Sequence, residues 1–148
     1  MKKEFVMRGQ TASGLTDVLN FSGYKPGYAY RLTEFQIYPS TNIVGADFEG
    51  VASITAGKTT AAPTDPNFND EGCIASVMTS DNGQEAYPVS SDSVINDTFL
   101  ITQNLILKVK DTHTSATAVN WQCKFESVKM TGPEEAATNF KQFSISDG

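Results

Sequence analysis

Val119-Asn120-Trp121-Gln122-Cys123-Lys124-Phe125-Glu126 alternates without a break between apolar and polar side chains. Successive residues of a strand point to opposite faces, so Val119, Trp121, Cys123 and Phe125 turn one way and Asn120, Gln122, Lys124 and Glu126 the other. A helix would scatter the same residues around its circumference, so the period of two means a strand with one covered face. Trp121 and Cys123 therefore belong to the core, Cys123 as a small hydrophobe. Past Glu126 the apolar positions become Val128 and Met130. That phase change places a β-bulge, or the end of pairing, at Ser127.

Upstream, Leu105, Leu107 and Val109 alternate with Ile106, Lys108 and Lys110. With a turn at Asp111-Thr112-His113-Thr114-Ser115, residues 105–110 and 118–130 are expected to form a hairpin. A further strand begins at Val94 and continues through Phe99 and Ile101, so residues 94–110 form one bent strand or a tight hairpin about Thr102-Gln103-Asn104. Residues 29–38 read as a long strand stopped by Pro39, after a Tyr24-Lys25-Pro26-Gly27 turn in which Pro presets φ and Gly accepts a positive one. Residues 48–55 and 73–79 add two more, and 3–8 and 15–21 two weaker ones. About eight strands at short, turn-punctuated spacing predict an all-β, antiparallel, jelly-roll-like sandwich over residues 1–148, one domain. Alternation does not give strand order, so an immunoglobulin-like order stays open beside the jelly roll. One short helix is expected over 131–140, where Thr131 can cap, Pro133 suits the first turn, and Glu134 and Glu135 sit near the positive end of the dipole.

The 148 residues are 39% hydrophobic and 19% charged, with a net charge of −6. That excludes a disordered acidic tail, and an acidic chain lacks the basic stripe of a nucleic-acid binder. No apolar run is long enough to span a membrane, and Met1 to Arg8 lacks the apolar core of a signal peptide. Two cysteines make no disulfide framework, and a reducing compartment at synthesis is the simplest expectation; pairing of Cys73 with Cys123 stays open. Residues 41–100 hold nine acids and the single base Lys58, a net of −8, while the rest holds ten bases and eight acids. The loops of 41–100 are therefore expected to form an acidic outward side, with the more basic flanks turned to a partner.

The motifs of common chemistries are incomplete. Gly57-Lys58-Thr59 resembles the end of a phosphate-binding loop, but Ala52 stands where its first Gly is needed and no helix-forming run follows. Asp65 to Glu71 alternates oxygen-bearing side chains, yet Asp70 and Ser76 occupy the Gly and Glu positions of an EF-hand. A looser calcium site of Asp65, Asn67, Asn69 and Glu71 competes there with an ordinary Asx-turn loop. His113, the one histidine, falls in a turn with no nucleophile elbow or zinc-ligand spacing to serve. Adjacent Glu134 and Glu135 diverge on a helix and make no acid–base pair. No catalytic residue, metal site or cofactor is expected. Tyr24, Tyr28 and Tyr87, beside turns, are candidates for exposed contacts such as sugar stacking, whereas Trp121 lies on the apolar phase.

The Lys2-Lys3 start, Phe99-Leu100-Ile101-Thr102-Gln103-Asn104-Leu105, Asn120-Trp121-Gln122-Cys123-Lys124-Phe125-Glu126-Ser127-Val128 and the segment from Glu134-Glu135-Ala136-Ala137 to Phe143 resemble small β-sandwich virion proteins of marine tailed bacteriophages. These include capsid decoration (cement) and minor capsid proteins. The resemblance implies a non-enzymatic structural protein, made in the host cytoplasm and located in the virion. It would bind other virion proteins, either the major capsid protein or itself as a homo-oligomer, with no nucleic-acid or membrane partner. The long loop 57–72 and the two termini are the expected contact elements, with Lys2, Lys3, Phe5, Pro63, Asp65, Pro66, Phe68, Phe140 and Phe143 as contact residues. The alternative is a glycan- or host-surface-binding module, calcium-assisted near Asp65, or a tail-associated virion protein.

Overall fold

Alternation at residues 119–126 becomes strand β8 (Val119–Lys129), which lies between β1 (Glu4–Thr11) and β3 (Tyr28–Pro39) in a three-stranded sheet. The computed structural model describes residues 3–21, 26–40, 47–56, 66–81, 90–114 and 116–138. A five-stranded sheet holds the other strands: β2 (Thr16–Leu19), β7 (Leu105–Asp111), β4 (Phe48–Ala56), β5 (Cys73–Asp81) and β6 (Ser90–Ile95), paired in that order. Every pairing of named strands is antiparallel. A helix, α1, spans residues 132–138 at the end of the described chain. Thr131 Oγ1 accepts from the Glu134 N–H (3.3 Å) and donates to Glu134 Oε1 (3.0 Å), so the expected cap forms.

The two sheets share one core. From the three-stranded sheet come Leu32, Phe35, Ile37, Trp121, Cys123 and Phe125; from the other come Leu19, Ala52, Ile54, Val77, Leu105, Leu107 and Val109. All are buried. The Trp121 ring lies over Gly9, directly opposite in register, where an added Cβ would stand 2.8 Å from Cζ2. Its Nε1–H donates to Thr11 Oγ1 at 3.0 Å, so the buried indole is satisfied.

Three expectations are corrected. β7 and β8 do not pair: β7 lies between β2 and β4, and β8 between β1 and β3. Both are apolar on one face, and placing those faces in opposite layers buries more surface than edge-to-edge pairing would. Residues 94–110 are neither one strand nor a hairpin. β6 ends at Ile95, a turn follows, Ile101 makes a single bridge to Tyr30 in the other sheet, and β7 begins at Leu105. The irregularity near Ser127 lies instead on β3, between Leu32 and Glu34, where the extra residue Thr33 bonds the Lys124 carbonyl. β8 runs regularly to Lys129, and Val128 simply faces outward against Ala29.

The strands do not divide evenly between the sheets but three and five, because β6 stays with β5. Nor do the acids form one side. Asp47 and Glu49 lie at the start of β4, Asp70, Glu71 and Asp97 at the opposite end of the same sheet, and Asp92 on the edge strand β6.

Candidate functional site

Outward side chains of the three-stranded sheet fall into rows fixed by register. Arg8, Gln122 and Gln36 form one row across β1, β8 and β3, and Gln10, Asn120 and Tyr38 form the next. Four amides, a guanidinium and a phenol thus share one face. A cavity of about 850 Å³ opens here, lined by Arg8 and Gly9 of β1, Gln36 to Tyr38 of β3 and Asn120 to Gln122 of β8. It reaches Thr79 and Ser91 of the other sheet, whose hydroxyls lie 3.0 Å apart.

The amides are partly anchored. Gln10 Nε2 donates to Asn120 Oδ1 (2.9 Å), and Asn120 Nδ2 donates to the Pro39 carbonyl (3.3 Å). In the neighbouring rows Lys124 pairs with Glu4 and Arg31 with Glu126, each at 3.3 Å, and an exposed Glu34 stands opposite Lys124 in register. Arg8, Gln36, Gln122 and Tyr38 make no side-chain hydrogen bond or ion pair with another described residue, and Tyr38 is 56% exposed.

The outer side of the five-stranded sheet has a different chemistry. Val18 on edge strand β2 and Val94 on edge strand β6 are 56% and 52% exposed, and Met78 of β5 is 60% exposed. Register places all three on the outward face, so apolar surface borders both edges of the sheet.

The residues expected from sequence to meet a partner are spread out. Phe5 is half-buried, its ring stacked on Phe125 at 5.4 Å and edge-on to Tyr30. Lys3 is exposed, with its main chain bonded to Ser127. Pro66 and Phe68 are exposed at the end of the long loop. Lys2, Pro63, Asp65, Phe140 and Phe143 lie outside the described residues, as do Tyr24 and Tyr87. Of the proposed calcium loop, Asn67 Oδ1 accepts the Asn69 N–H, and Asp70 Oδ1 accepts the Gly72 N–H, in Asx-turn fashion. Among the described residues no group of three His, Cys, Asp or Glu is placed to hold a metal.

His113 lies 3.3 Å from Asp47 on a half-buried surface. Both cysteines are free thiols. Burial pushes the Cys73 thiol up; a hydrogen bond from the Asn67 main chain pulls the other way, and the nearby Asp70 charge adds to the rise. Burial likewise raises Cys123. Neither is an activated thiolate near neutral pH.

The chain is thus an antiparallel two-sheet β-protein with a polar, amide-rich groove on one outer face. It matches no protein-family model, and no curated protein matches it significantly. The amide rows were half visible in the sequence: Asn120 and Gln122 occupy the polar phase of β8. Their joining to Arg8, Gln36 and Tyr38 needed the register, which no single strand carries.

Proposed function

We infer that the chain is a non-enzymatic virion structural protein, a capsid-decoration or minor capsid subunit that docks on the major capsid protein or on copies of itself. The observation that carries the reading is strand order. β1-β8-β3 opposite β2-β7-β4-β5 is the succession of a jelly roll for seven of the eight strands. Only β6 departs from it, pairing with β5 while packing beside β3. We read this as a jelly roll whose sixth strand has changed sheets, and jelly rolls recur in capsid proteins. Apolar side chains at both edges of the five-stranded sheet suit docking by neighbouring subunits on either side.

Mass spectrometry and cryo-EM of purified particles test it. The expected result is the protein at fixed, symmetry-related positions on the head. Absence from particles, together with a monomeric state of the isolated protein, would end the reading. A position on the tail would replace the capsid assignment by a tail-associated one.

A further inference from the structure

We propose that the outer face of the three-stranded sheet binds a short acidic saccharide. Sugar hydroxyls would lie on the amide rows, a ring face on Tyr38, and a carboxylate on Arg8. The proposal is independent of the virion reading.

Three observations carry it. The first is chemical matching. Each side-chain amide offers both a donor and an acceptor, and so does each sugar hydroxyl. A ligand built of adjacent hydroxyls can therefore satisfy Gln36 and Gln122, which have no described partner, without leaving polar atoms unpaired. The second is preorganisation. The Gln10–Asn120 and Asn120–Pro39 hydrogen bonds hold one amide pair in place, on strands rather than on a loop, which lowers the entropy lost on binding. The third is size. Three strands and two rows give a floor of ~10 by ~7 Å, the scale of one or two sugar rings.

Charge decides the kind of saccharide. Among the described residues, the neighbouring Lys124 and Arg31 are already paired with Glu4 and Glu126, which leaves Arg8 as the cation lining the groove, with Glu34 one row away beside Lys124. A guanidinium among neutral amides matches one carboxylate, which it can bind through two parallel hydrogen bonds. Polyphosphates and nucleic acids ask for many cations, and the chain as a whole carries −6. Among the described residues, an apolar peptide would find only Val6 and Tyr38 as large exposed hydrophobic groups on this face.

The test is a backbone-amide NMR titration of the full chain with two probes, digalacturonic acid and galactobiose, which differ in whether C6 is a carboxylate or an alcohol. The expected result is shift changes confined to the strand segments around Arg8, Gln36, Tyr38, Asn120 and Gln122, with the acidic disaccharide bound more tightly. Arg8→Gln should cost the acid about tenfold in affinity and remove the difference between the two probes. Tyr38→Ala should weaken both, and Lys124→Ala, one row away, should change neither. Circular dichroism and thermal midpoints confirm that each variant is folded. The proposal is overturned if the wild type shows no shifts with either probe up to about 10 mM, an affinity weaker than any useful site. It is equally overturned if the shifts map elsewhere, if the two probes bind alike, or if Arg8→Gln and Tyr38→Ala leave binding unchanged.

Discussion

At one end of the sandwich Phe5, Phe21, Tyr30 and Phe125 meet ring to ring, with centroids 5.1 to 6.4 Å apart. At the other end one buried carboxylate, Asp111, gathers the chain. Its oxygens accept the N–H groups of Glu49 (3.1 Å), His113 (3.0 Å) and Thr117 (2.9 Å), and its own N–H donates to Ser13 Oγ (2.9 Å). The aromatic end is held by non-directional burial that neighbours can partly take over when a ring is trimmed. The carboxylate end is held by direction. Asp111 ties the start of β4 to the crossing from β7 into β8, and any substitute leaves main-chain donors without acceptors. Packing therefore closes one end of the molecule, and hydrogen-bond geometry sets the path of the chain at the other.

This contrast can be broken in graded steps. The largest loss is expected for Phe125→Ala, which removes a fully buried ring at the centre of the aromatic cluster and should cost about 3–5 kcal/mol in urea unfolding. A cost below about 1.5 kcal/mol would mean that the other rings collapse into the space and that the cluster is not the keystone of that end. Asp111→Ala removes both acceptor oxygens at once. About 2–4 kcal/mol should be lost, and hydrogen exchange at Glu49, His113 and Thr117 should rise together. If only one of those amides loses protection, the carboxylate does not act as a single tie.

Gly9→Ala probes the middle of the sheet between the two ends. The new methyl group must displace the Trp121 indole from Thr11, so a loss of about 1–3 kcal/mol is expected, with a red shift in the emission of the single tryptophan. Unchanged emission would show that β1 gives way instead of the ring. The smallest effect is expected for Ala116→Gly in the β7–β8 crossing. Ala116 has φ 47°, a left-handed conformation that costs a residue with a Cβ about 1–2 kcal/mol. The greater freedom of glycine in the unfolded chain offsets much of that gain, leaving a stabilisation below about 1 kcal/mol in thermal unfolding. A loss of stability would place the strain of the crossing elsewhere.

Alternation made most strands of this protein legible, β8 above all, because a covered face forces a period of two on the sequence. It also sent Trp121 and Cys123 correctly into the core, while residue type alone marked Thr131 as a cap. The pairing of β7 with β8 was misjudged because a turn-like Asp111-Thr112-His113 serves a crossing between layers as readily as a hairpin. Only the strand order, with β7 and β8 in different sheets, tells the two apart. The irregularity opposite β8 escaped notice for a related reason: a bulge belongs to a pair of strands, and Thr33 carries no mark of it alone. The candidate groove was legible only as separate polar positions.

What local chemistry settles along this chain is the secondary structure, the side of each strand that faces inward, and the uneven spread of acids between residues 41 and 100. Those properties depend on neighbours a few residues away. Strand order, the three-and-five division of the sheets, the splitting of the acids between opposite ends and the meeting of Arg8 with Gln122 and Gln36 are properties of the folded whole. They arise from pairings between strands, those of the three-stranded sheet joining residues 80 or more positions apart, where register and layer are chosen by how much apolar surface the finished sandwich buries.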